Sequence, residues 1–191
     1  MSQKAVFLDR DGVLNKVVLK NGKPYPPSCA ADLEVFPEAS EVCTRLKAMG
    51  FLLIAVTNQP DISRKTQTIE AVEAMHQKLN TYLPLDDVVV CYHDDSDDCD
   101  CRKPKPGMLV SSRNKWDLDF SQSFLIGDRW RDIAAAQSVN CCPIFIDYSY
   151  QEKQPSLPYV SVKSLSEAGD FILKNASVVS DRIQNRFSWL A

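Results

Sequence analysis

Two aspartates two positions apart have the clearest capacity for chemistry in this sequence. Asp9 and Asp11 follow the apolar run 5–8, which is typical of a buried parallel strand, and Gly12 comes directly after them. Open α/β sheets bind ligands at the carboxyl ends of such strands. One carboxylate could attack a substrate while the other moves protons, and both could bind a divalent cation. By itself, however, the D-x-D pattern fits a solvated turn equally well.

The composition narrows the class of protein. The chain has 191 residues, 45% of them hydrophobic and 25% charged, which suits one soluble α/β domain. A net charge of -3 gives no general attraction to nucleic acid or to an anionic membrane. We find neither a signal peptide nor an apolar run of the roughly 20 residues that span a bilayer. An odd number of cysteines, 7, indicates thiols and metal ligands rather than disulfides. We therefore expect a cytoplasmic monomer that binds neither nucleic acid nor membrane.

The elements that must position the aspartates follow from the apolar pattern. Strands are predicted at 5–8, 51–56, 88–91, 123–126 and 143–146, and helices at 37–49, 69–83, 107–116, 131–139 and 165–173. This alternation predicts a three-layer, Rossmann-like α/β fold with a mostly parallel sheet and helices on both faces. Residues 16–36 are interpreted as a loop, too short for a cap domain. We predict one domain over 1–175, and a helical tail over 176–191 that docks on it.

Polar side chains follow four successive predicted strands. They are Asp9 and Asp11, then Thr57 and Asn58, then Arg102 and Lys103, and finally Asp128. Parallel strands bring these ends to one edge of the sheet. Carboxylates suit Mg²⁺, while cations and a hydroxyl suit the oxygens of a phosphate group. The set indicates phosphoryl transfer, in which Asp9 is free to form an aspartyl phosphate.

Four stretches resemble the motifs of the haloacid dehalogenase superfamily of phosphatases. They are FLDRDGVLN, VTNQ, RKPKPGML and IGDRWRD, and the resemblance runs from about Lys4 to Ile146. It is nearest to the small, capless branch with a zinc loop, whose members hydrolyse heptose bisphosphates or histidinol phosphate. The resemblance therefore implies a hydrolase that needs Mg²⁺ and acts on a small phosphorylated sugar.

The resemblance also implies a role for each residue. Asp9 would be the nucleophile and Asp11 the general acid and then the base, with Thr57 and Lys103 on the phosphoryl group. Mg²⁺ would be bound by Asp9, the Asp11 backbone carbonyl and Asp128. Asn58, Arg102 and Arg129 would contact the substrate. Asp132 would orient the acidic site, although a solvated acid at a helix start is almost as good an interpretation.

A second cluster has the spacing of a metal site. Cys91, His93, Cys99 and Cys101 form a closed zinc set of three thiolates and one imidazole, with a free-thiol loop as the alternative. Such a zinc ion would be structural, because no position remains for water. The cluster directly precedes Arg102 and Lys103, so the metal would fix the loop that carries them.

The substrate and two other classes of protein stay open. The short spacing of the zinc loop resembles the histidinol-phosphate enzymes, whereas PKPGML and a single catalytic domain resemble the heptose enzymes. Pro60 and Asp61 stand where the heptose enzymes tend to carry Ser-Gly. A catalytically silent scaffold is disfavoured because every expected catalytic group is present. A nucleic-acid-binding module built around zinc is disfavoured because acidic residues outnumber basic ones in this chain. His76, in the apolar stripe of the second helix, is interpreted as a packed histidine.

Overall fold

The computed structural model describes residues 2–176 of the chain. Its strands are β1 (Ala5–Leu8), β2 (Val18–Lys20), β3 (Lys23–Tyr25), β4 (Leu52–Asn58), β5 (Asp87–Cys91), β6 (Phe124–Gly127), β7 (Cys142–Ile146) and β8 (Val160–Val162). Its α-helices are α1 (Ala39–Ala48), α2 (Ile69–Tyr82), α3 (Gly107–Trp116), α4 (Trp130–Ser138) and α5 (Leu165–Asn175). The predicted tail lies, from residue 177 onward, outside the described residues, so the division at 175 stays a prediction.

The order of the strands explains where a site can form. Six strands make one sheet in the order β5-β4-β1-β6-β7-β8, and all neighbouring pairs are parallel. The chain leaves β1 towards β4 and β5, then returns to the other side of β1 with β6. This reversal opens a crevice at the carboxyl ends of β1 and β6, where sheets of this kind bind ligands. Asp9, after β1, and Asp128, after β6, consequently lie side by side.

Helices cover both faces of the sheet. Val6 and Leu8 pack in one core with α1, α2 and α5, whereas Ala5 and Phe7 pack in a second core with α3 and α4. Successive side chains of a strand point to opposite faces, so the wholly apolar β1 is buried between two helical layers. The predicted three-layer fold without a large cap is confirmed for the described residues. Among the described helices, none has the length and apolar character to cross a membrane.

The structure differs from the predictions at several boundaries. Residues 16–36 contain the hairpin β2–β3, and β8 adds a sixth strand to the sheet. These strands have only three residues each, too few for an alternating pattern to stand out. The first helix begins at Ala39 rather than at Pro37. Thr57 and Asn58 lie within β4 rather than after it, because pairing with β5 continues as far as Asn58.

Candidate active site

Asp9 is fixed at the crevice by the sheet itself. Its backbone N–H donates to the Ile126 carbonyl (3.0 Å), which extends the pairing of β1 and β6 by one residue. Gly12, three residues later, has a φ of +89°. A Cβ added there would overlap the Asp128 carboxylate. Glycine is therefore required at this position, both for its backbone conformation and for the close approach of the loop to Asp128.

Three side chains hold the Asp11 carboxylate. Oδ2 accepts hydrogen bonds from Arg10 Nε (3.1 Å), Arg10 Nη2 (2.8 Å) and Gln59 Nε2 (2.9 Å). Oδ1 accepts one from Asn15 Nδ2 (3.0 Å). Burial raises the pKa of Asp11, but the Arg10 charge and these hydrogen bonds outweigh burial and hold the pKa below its usual value. No role was predicted from the sequence for Arg10, Asn15 or Gln59.

Lys103 lies between two buried aspartates. Its Nζ is 2.9 Å from Asp9 Oδ1 and 2.5 Å from Asp132 Oδ1, and it donates to the Val56 carbonyl (2.8 Å). Burial lowers the pKa of Lys103, but Asp132 and Asp9 more than compensate and raise the pKa above its ordinary value. Lys103 is therefore a cation. Asp132 is only 1% exposed, so its interpretation as a solvated acid is wrong.

Three carboxylates form a group suited to a divalent cation. One oxygen from each of Asp9, Asp128 and Asp132 lies within 4.8 Å of the others. Both oxygens of Asp128 are buried, and among the described residues neither has a well-aligned hydrogen-bond donor. Burial, then the charges of Asp9 and Asp132, raise the pKa of Asp128, which the nearby Tyr150 hydroxyl only partly offsets.

The charge of this group fits Mg²⁺. Burial raises the pKa of Asp9 to about 6; Lys103 opposes the shift, whereas Asp132 and Asp11 add to it. Three buried carboxylates beside one lysine favour a bound cation, and Mg²⁺ prefers oxygen ligands. Asp132, expected only to orient the site, belongs to this group. The Asp11 carboxylate does not, which leaves its backbone carbonyl as the predicted metal ligand.

Mg²⁺ should stabilise the folded chain much more at neutral than at acidic pH. Protons bind Asp9 as the pH falls through about 6, and the pKa of Asp128 is also raised by burial and by its acidic neighbours, so protons compete with the cation for both carboxylates. We expect saturating Mg²⁺ to raise the free energy of unfolding by about 2–4 kcal/mol near pH 7.5, and most of this gain to vanish near pH 5. Urea unfolding after brief EDTA treatment, with and without added Mg²⁺, measures this gain in the free energy of unfolding. Asp128→Asn is the control that should lose the gain, and an effect independent of pH would contradict the assignment.

Thr57 and Asn58 connect β4 to the rest of the site. Thr57 is 1% exposed, and its Oγ1 accepts a hydrogen bond from Gln59 Nε2 (2.8 Å). Asn58 Nδ2 donates to the Lys103 carbonyl (2.9 Å), and the Lys103 N–H donates to Asn58 Oδ1 (3.0 Å). Asn58 therefore holds the backbone of Lys103, whereas its predicted contact with substrate stays a prediction.

The two predicted substrate arginines are already paired. Arg102 Nε donates to Asp95 Oδ1 (2.9 Å), an aspartate that also accepts from Arg131 (3.0 Å). Arg129 donates through Nε (2.9 Å) and Nη2 (2.5 Å) to Glu152. Both arginines line the cleft, and their acidic partners hold the guanidinium groups in place there. Their binding of substrate stays a prediction.

The four predicted zinc ligands lie close enough together to bind one metal ion. The three sulfurs of Cys91, Cys99 and Cys101 are 3.1–3.7 Å apart, and His93 Nδ1 lies 3.3 Å from Cys101 Sγ and 3.7 Å from Cys91 Sγ. Zinc–sulfur bonds of about 2.3 Å require separations of about 3.8 Å at the corners of a tetrahedron. These four residues therefore fit a structural zinc ion. The Arg102 guanidinium also donates to the His93 carbonyl (3.1 Å), which joins the cluster to the cleft.

One cleft of about 280 Å³ brings the predicted residues together. Asp9, Asp11, Thr57, Asn58, Arg102, Lys103 and Arg129 all line it. It is also lined by residues that the sequence analysis did not single out, namely Lys23, Tyr25, Arg64, Asp95 and Arg131. These come from the hairpin, from the segment after β4, from the zinc loop and from α4, and only the tertiary structure identifies which residues of these segments reach the cleft.

The fold and the site define a haloacid dehalogenase-like hydrolase. The model of that family matches residues 27–140, and the chain belongs to the family. The predicted membership and the prediction of a phosphatase enzyme are thereby confirmed.

Curated relatives identify a narrower group of similar proteins. The chain is 33% identical over 151 residues to the D-glycero-beta-D-manno-heptose-1,7-bisphosphate 7-phosphatase of Pseudomonas aeruginosa, covering 76% of this chain and 82% of the relative. It is 37% identical over 147 residues to the Pasteurella multocida protein of the same name, covering 71% and 76%. A similar solved structure is D,D-heptose 1,7-bisphosphate phosphatase from B. bronchiseptica, complexed with magnesium and phosphate. That match has a TM-score of 0.78 at 23% identity over 91% of this chain and 99% of that one, and supports the fold alone.

Proposed function

We propose that this chain is a Mg²⁺-dependent phosphatase that removes the 7-phosphate of D-glycero-β-D-manno-heptose 1,7-bisphosphate, the substrate in its relatives' names. The observation that carries the proposal is the convergence of Asp9, Asp11, Thr57 and Lys103 on one cleft beside a group of buried carboxylates. A nucleophile, a proton donor, phosphate ligands and a cation site are the parts that phosphoryl transfer needs.

In the first step a carboxylate oxygen of Asp9 attacks phosphorus and the bond from phosphorus to the sugar oxygen breaks. The negative charge of the bound substrate phosphate raises the pKa of Asp11, which the free site holds below its usual value, and so favours the protonated carboxyl. The sugar oxygen takes the proton of the Asp11 carboxyl, so the sugar leaves as a neutral alcohol and Asp11 is left ionised. The product on the enzyme is an aspartyl phosphate. The Thr57 hydroxyl and the Lys103 ammonium donate hydrogen bonds to the phosphoryl oxygens as these gain charge.

In the second step Asp11 takes a proton from water, whose oxygen attacks the phosphorus of the aspartyl phosphate. The bond from phosphorus to Asp9 breaks, which restores the Asp9 carboxylate and releases inorganic phosphate. Asp11 regains its proton, so the cycle closes. Asp9, Asp128 and the Asp11 carbonyl would hold Mg²⁺, which would supply positive charge to offset the repulsion between Asp9 and the phosphate. Asp132 keeps Lys103 aligned through its ion pair.

The cations that line the cleft favour a second anionic group on the substrate. Arg64, Arg102, Arg129, Arg131 and Lys23 line the cleft in addition to Lys103. A bisphosphate would place its remaining phosphate among these cations, where it would compete with Asp94, Asp95 and Glu152 for the guanidinium groups, which bind phosphate well. Histidinol phosphate would instead bring an ammonium group towards them, and like charges repel. We therefore favour the heptose bisphosphate over histidinol phosphate, the alternative that the sequence left open.

Direct turnover tests the substrate. We expect kcat/KM for the heptose 1,7-bisphosphate to exceed that for histidinol phosphate by about 100-fold, as differential binding of one charged group permits. Phosphorus NMR of the product should show loss of the 7-phosphate while the 1-phosphate remains. Comparable, feeble rates on both substrates would leave the phosphatase class intact and would exclude both assignments.

Loss of zinc should weaken substrate binding more than chemistry. Cys101→Ser removes a thiolate from the cluster and loosens the loop whose Asp94 and Asp95 hold Arg64 and Arg102. We expect the variant to lose its zinc and its KM to rise by about tenfold, with a smaller effect on kcat. Metal analysis and steady-state kinetics measure this. Cys29→Ser, outside the cluster, is the matched control and should keep about one zinc per chain. Unchanged kinetics in a zinc-free Cys101→Ser protein would show that the loop is ordered without the metal.

The predicted thiolate ligands also bear on where in the cell the enzyme works. Thiolate ligands for zinc are maintained in a reducing compartment, which supports a cytoplasmic location. We propose one catalytic domain over 1–175, because the nucleophile, the general acid, the phosphate ligands and the buried carboxylates all lie within it. We propose that this domain acts as a monomer.

A further inference from the structure

A fully buried arginine lies behind the general acid. Arg10, the residue between Asp9 and Asp11, is 0% exposed. Its Nε and Nη2 donate to Asp11 Oδ2, and its Nη1 lies 3.3 Å from Nε2 of His76 on α2. Because Arg10 has no exposed surface and is not among the residues that line the cleft, its side chain reaches the chemistry through Asp11.

The contact with His76 has a defined direction. An arginine can only donate, so Nε2 of His76 must accept the hydrogen bond and its ring proton must lie on Nδ1. Burial lowers the pKa of His76 to about 4, and the Arg10 charge adds to that shift while Asp11 opposes it. The imidazole is therefore neutral and presents an acceptor to Nη1. His76 is 8% exposed, and its neighbours Val72 and Leu79 on α2 are buried in the core.

The bonds to Asp11 also distinguish its two oxygens. Oδ2 accepts three hydrogen bonds, two from Arg10 and one from Gln59, whereas Oδ1 accepts only the one from Asn15. A carboxyl proton would compete with three donors on Oδ2 and with one on Oδ1. Oδ1 is therefore the oxygen that carries the transferable proton.

We propose that Arg10 and His76 are positioning residues that direct Oδ1 of Asp11 towards the leaving oxygen of the substrate. His76 fixes Nη1 and the guanidinium plane then fixes Oδ2, which leaves Oδ1, the oxygen with a single donor, to carry the proton. This inference rests on the proposed function, because it concerns how Asp11 gives its proton to the departing alcohol. It assigns His76 a role beyond packing, and Arg10 a role that the D-x-D motif leaves unspecified.

The dependence of the rate on the leaving group isolates this role. An alkyl phosphate needs the Asp11 proton as its bond to phosphorus breaks, whereas p-nitrophenyl phosphate has a leaving group that is stable without one. The ratio kcat/KM reports steps up to departure of the alcohol, so the later use of Asp11 as a base does not affect it. A mispositioned Asp11 should therefore slow the alkyl substrate selectively, whereas a general loss of structure should slow both.

The experiment compares the heptose 1,7-bisphosphate with p-nitrophenyl phosphate in the Mg²⁺-loaded full chain. We expect His76→Met, which has no strong acceptor, to lower kcat/KM for the sugar substrate by about tenfold and for the aryl substrate by less than about twofold. Arg10→Met should give the same selectivity with a loss of about 100-fold on the sugar. His76→Gln, whose side-chain oxygen can accept from Nη1, should recover the sugar activity to within about threefold of wild type.

The controls separate this inference from the proposed function. Val72→Ala removes buried volume from the same helix face, and any loss of activity it causes should be equal for the two substrates. Equal losses on both substrates in His76→Met, or no rescue in His76→Gln, would overturn the positioning role even if Arg10→Met failed to fold. A wild-type chain that releases no phosphate from either substrate would overturn the proposed function itself.

Discussion

Asp9→Asn should abolish phosphatase activity while leaving the fold intact. An amide cannot attack phosphorus, so we expect kcat to fall by about 10⁴-fold or more. Asparagine is nearly isosteric, and its side-chain oxygen can still accept the hydrogen bond that the Arg10 N–H makes to Asp9 Oδ1 (2.8 Å). The substitution also removes one charge from a crowded group, because burial and the neighbouring carboxylates raise the pKa of Asp9 to about 6. The free energy of unfolding without Mg²⁺ should therefore not decrease at neutral pH.

Two measurements test this expectation together. Phosphate release gives kcat, and mass spectrometry of acid-quenched wild-type enzyme during turnover should detect a phosphorylated chain that the variant lacks. Asp98→Asn, an exposed aspartate of the zinc loop paired with Lys105, is the matched control and should keep its activity. If Asp9→Asn hydrolysed the substrate at the wild-type rate, the aspartyl-phosphate mechanism would be wrong.

Lys103→Met should damage both activity and stability. The substitution removes the cation that lies 2.9 Å from Asp9 and 2.5 Å from Asp132, and leaves the buried carboxylates without it. Breaking a buried pair from one side typically costs about 3–5 kcal/mol, and we expect a loss of that size in the free energy of unfolding without Mg²⁺. Loss of the phosphate ligand should lower kcat/KM by about 10³-fold. Saturating Mg²⁺ should restore part of the stability but not the activity, because it neutralises the carboxylates without replacing the ammonium donor.

Lys105→Met is the matched control for this variant. Lys105 is two residues further along the same loop, but its side chain is 44% exposed and its partners are surface carboxylates. Exposed ion pairs contribute little, so its removal should change the free energy of unfolding by less than about 1 kcal/mol. Urea unfolding and steady-state kinetics on both variants provide the comparison. Similar small effects in the two would mean that Lys103 does not bind the phosphoryl group.

Much of the site could be predicted from the sequence because its chemistry is local. Asp9 and Asp11 stand directly after a four-residue apolar strand, and the predicted zinc ligands lie within eleven positions of one another, from Cys91 to Cys101. Short spacings of this kind constrain where side chains can go before any long-range contact is known. The alternation of apolar strands with amphipathic helices similarly determined the three-layer fold, since each element must bury one face or both.

The tertiary structure decided the relations between distant segments. The reversal of strand order beside β1 brings Asp128 next to Asp9, and the packing of α4 brings Asp132 onto Lys103. The apolar pattern of a strand specifies that it is buried but not which strand is its neighbour, so these contacts have no local signal. His76 shows the same limit: its helical spacing predicted burial correctly, but its partner Arg10 is 66 residues away. Which buried polar groups meet is determined by the packing of α2 on the sheet, because each must find a hydrogen-bond partner where the fold places it.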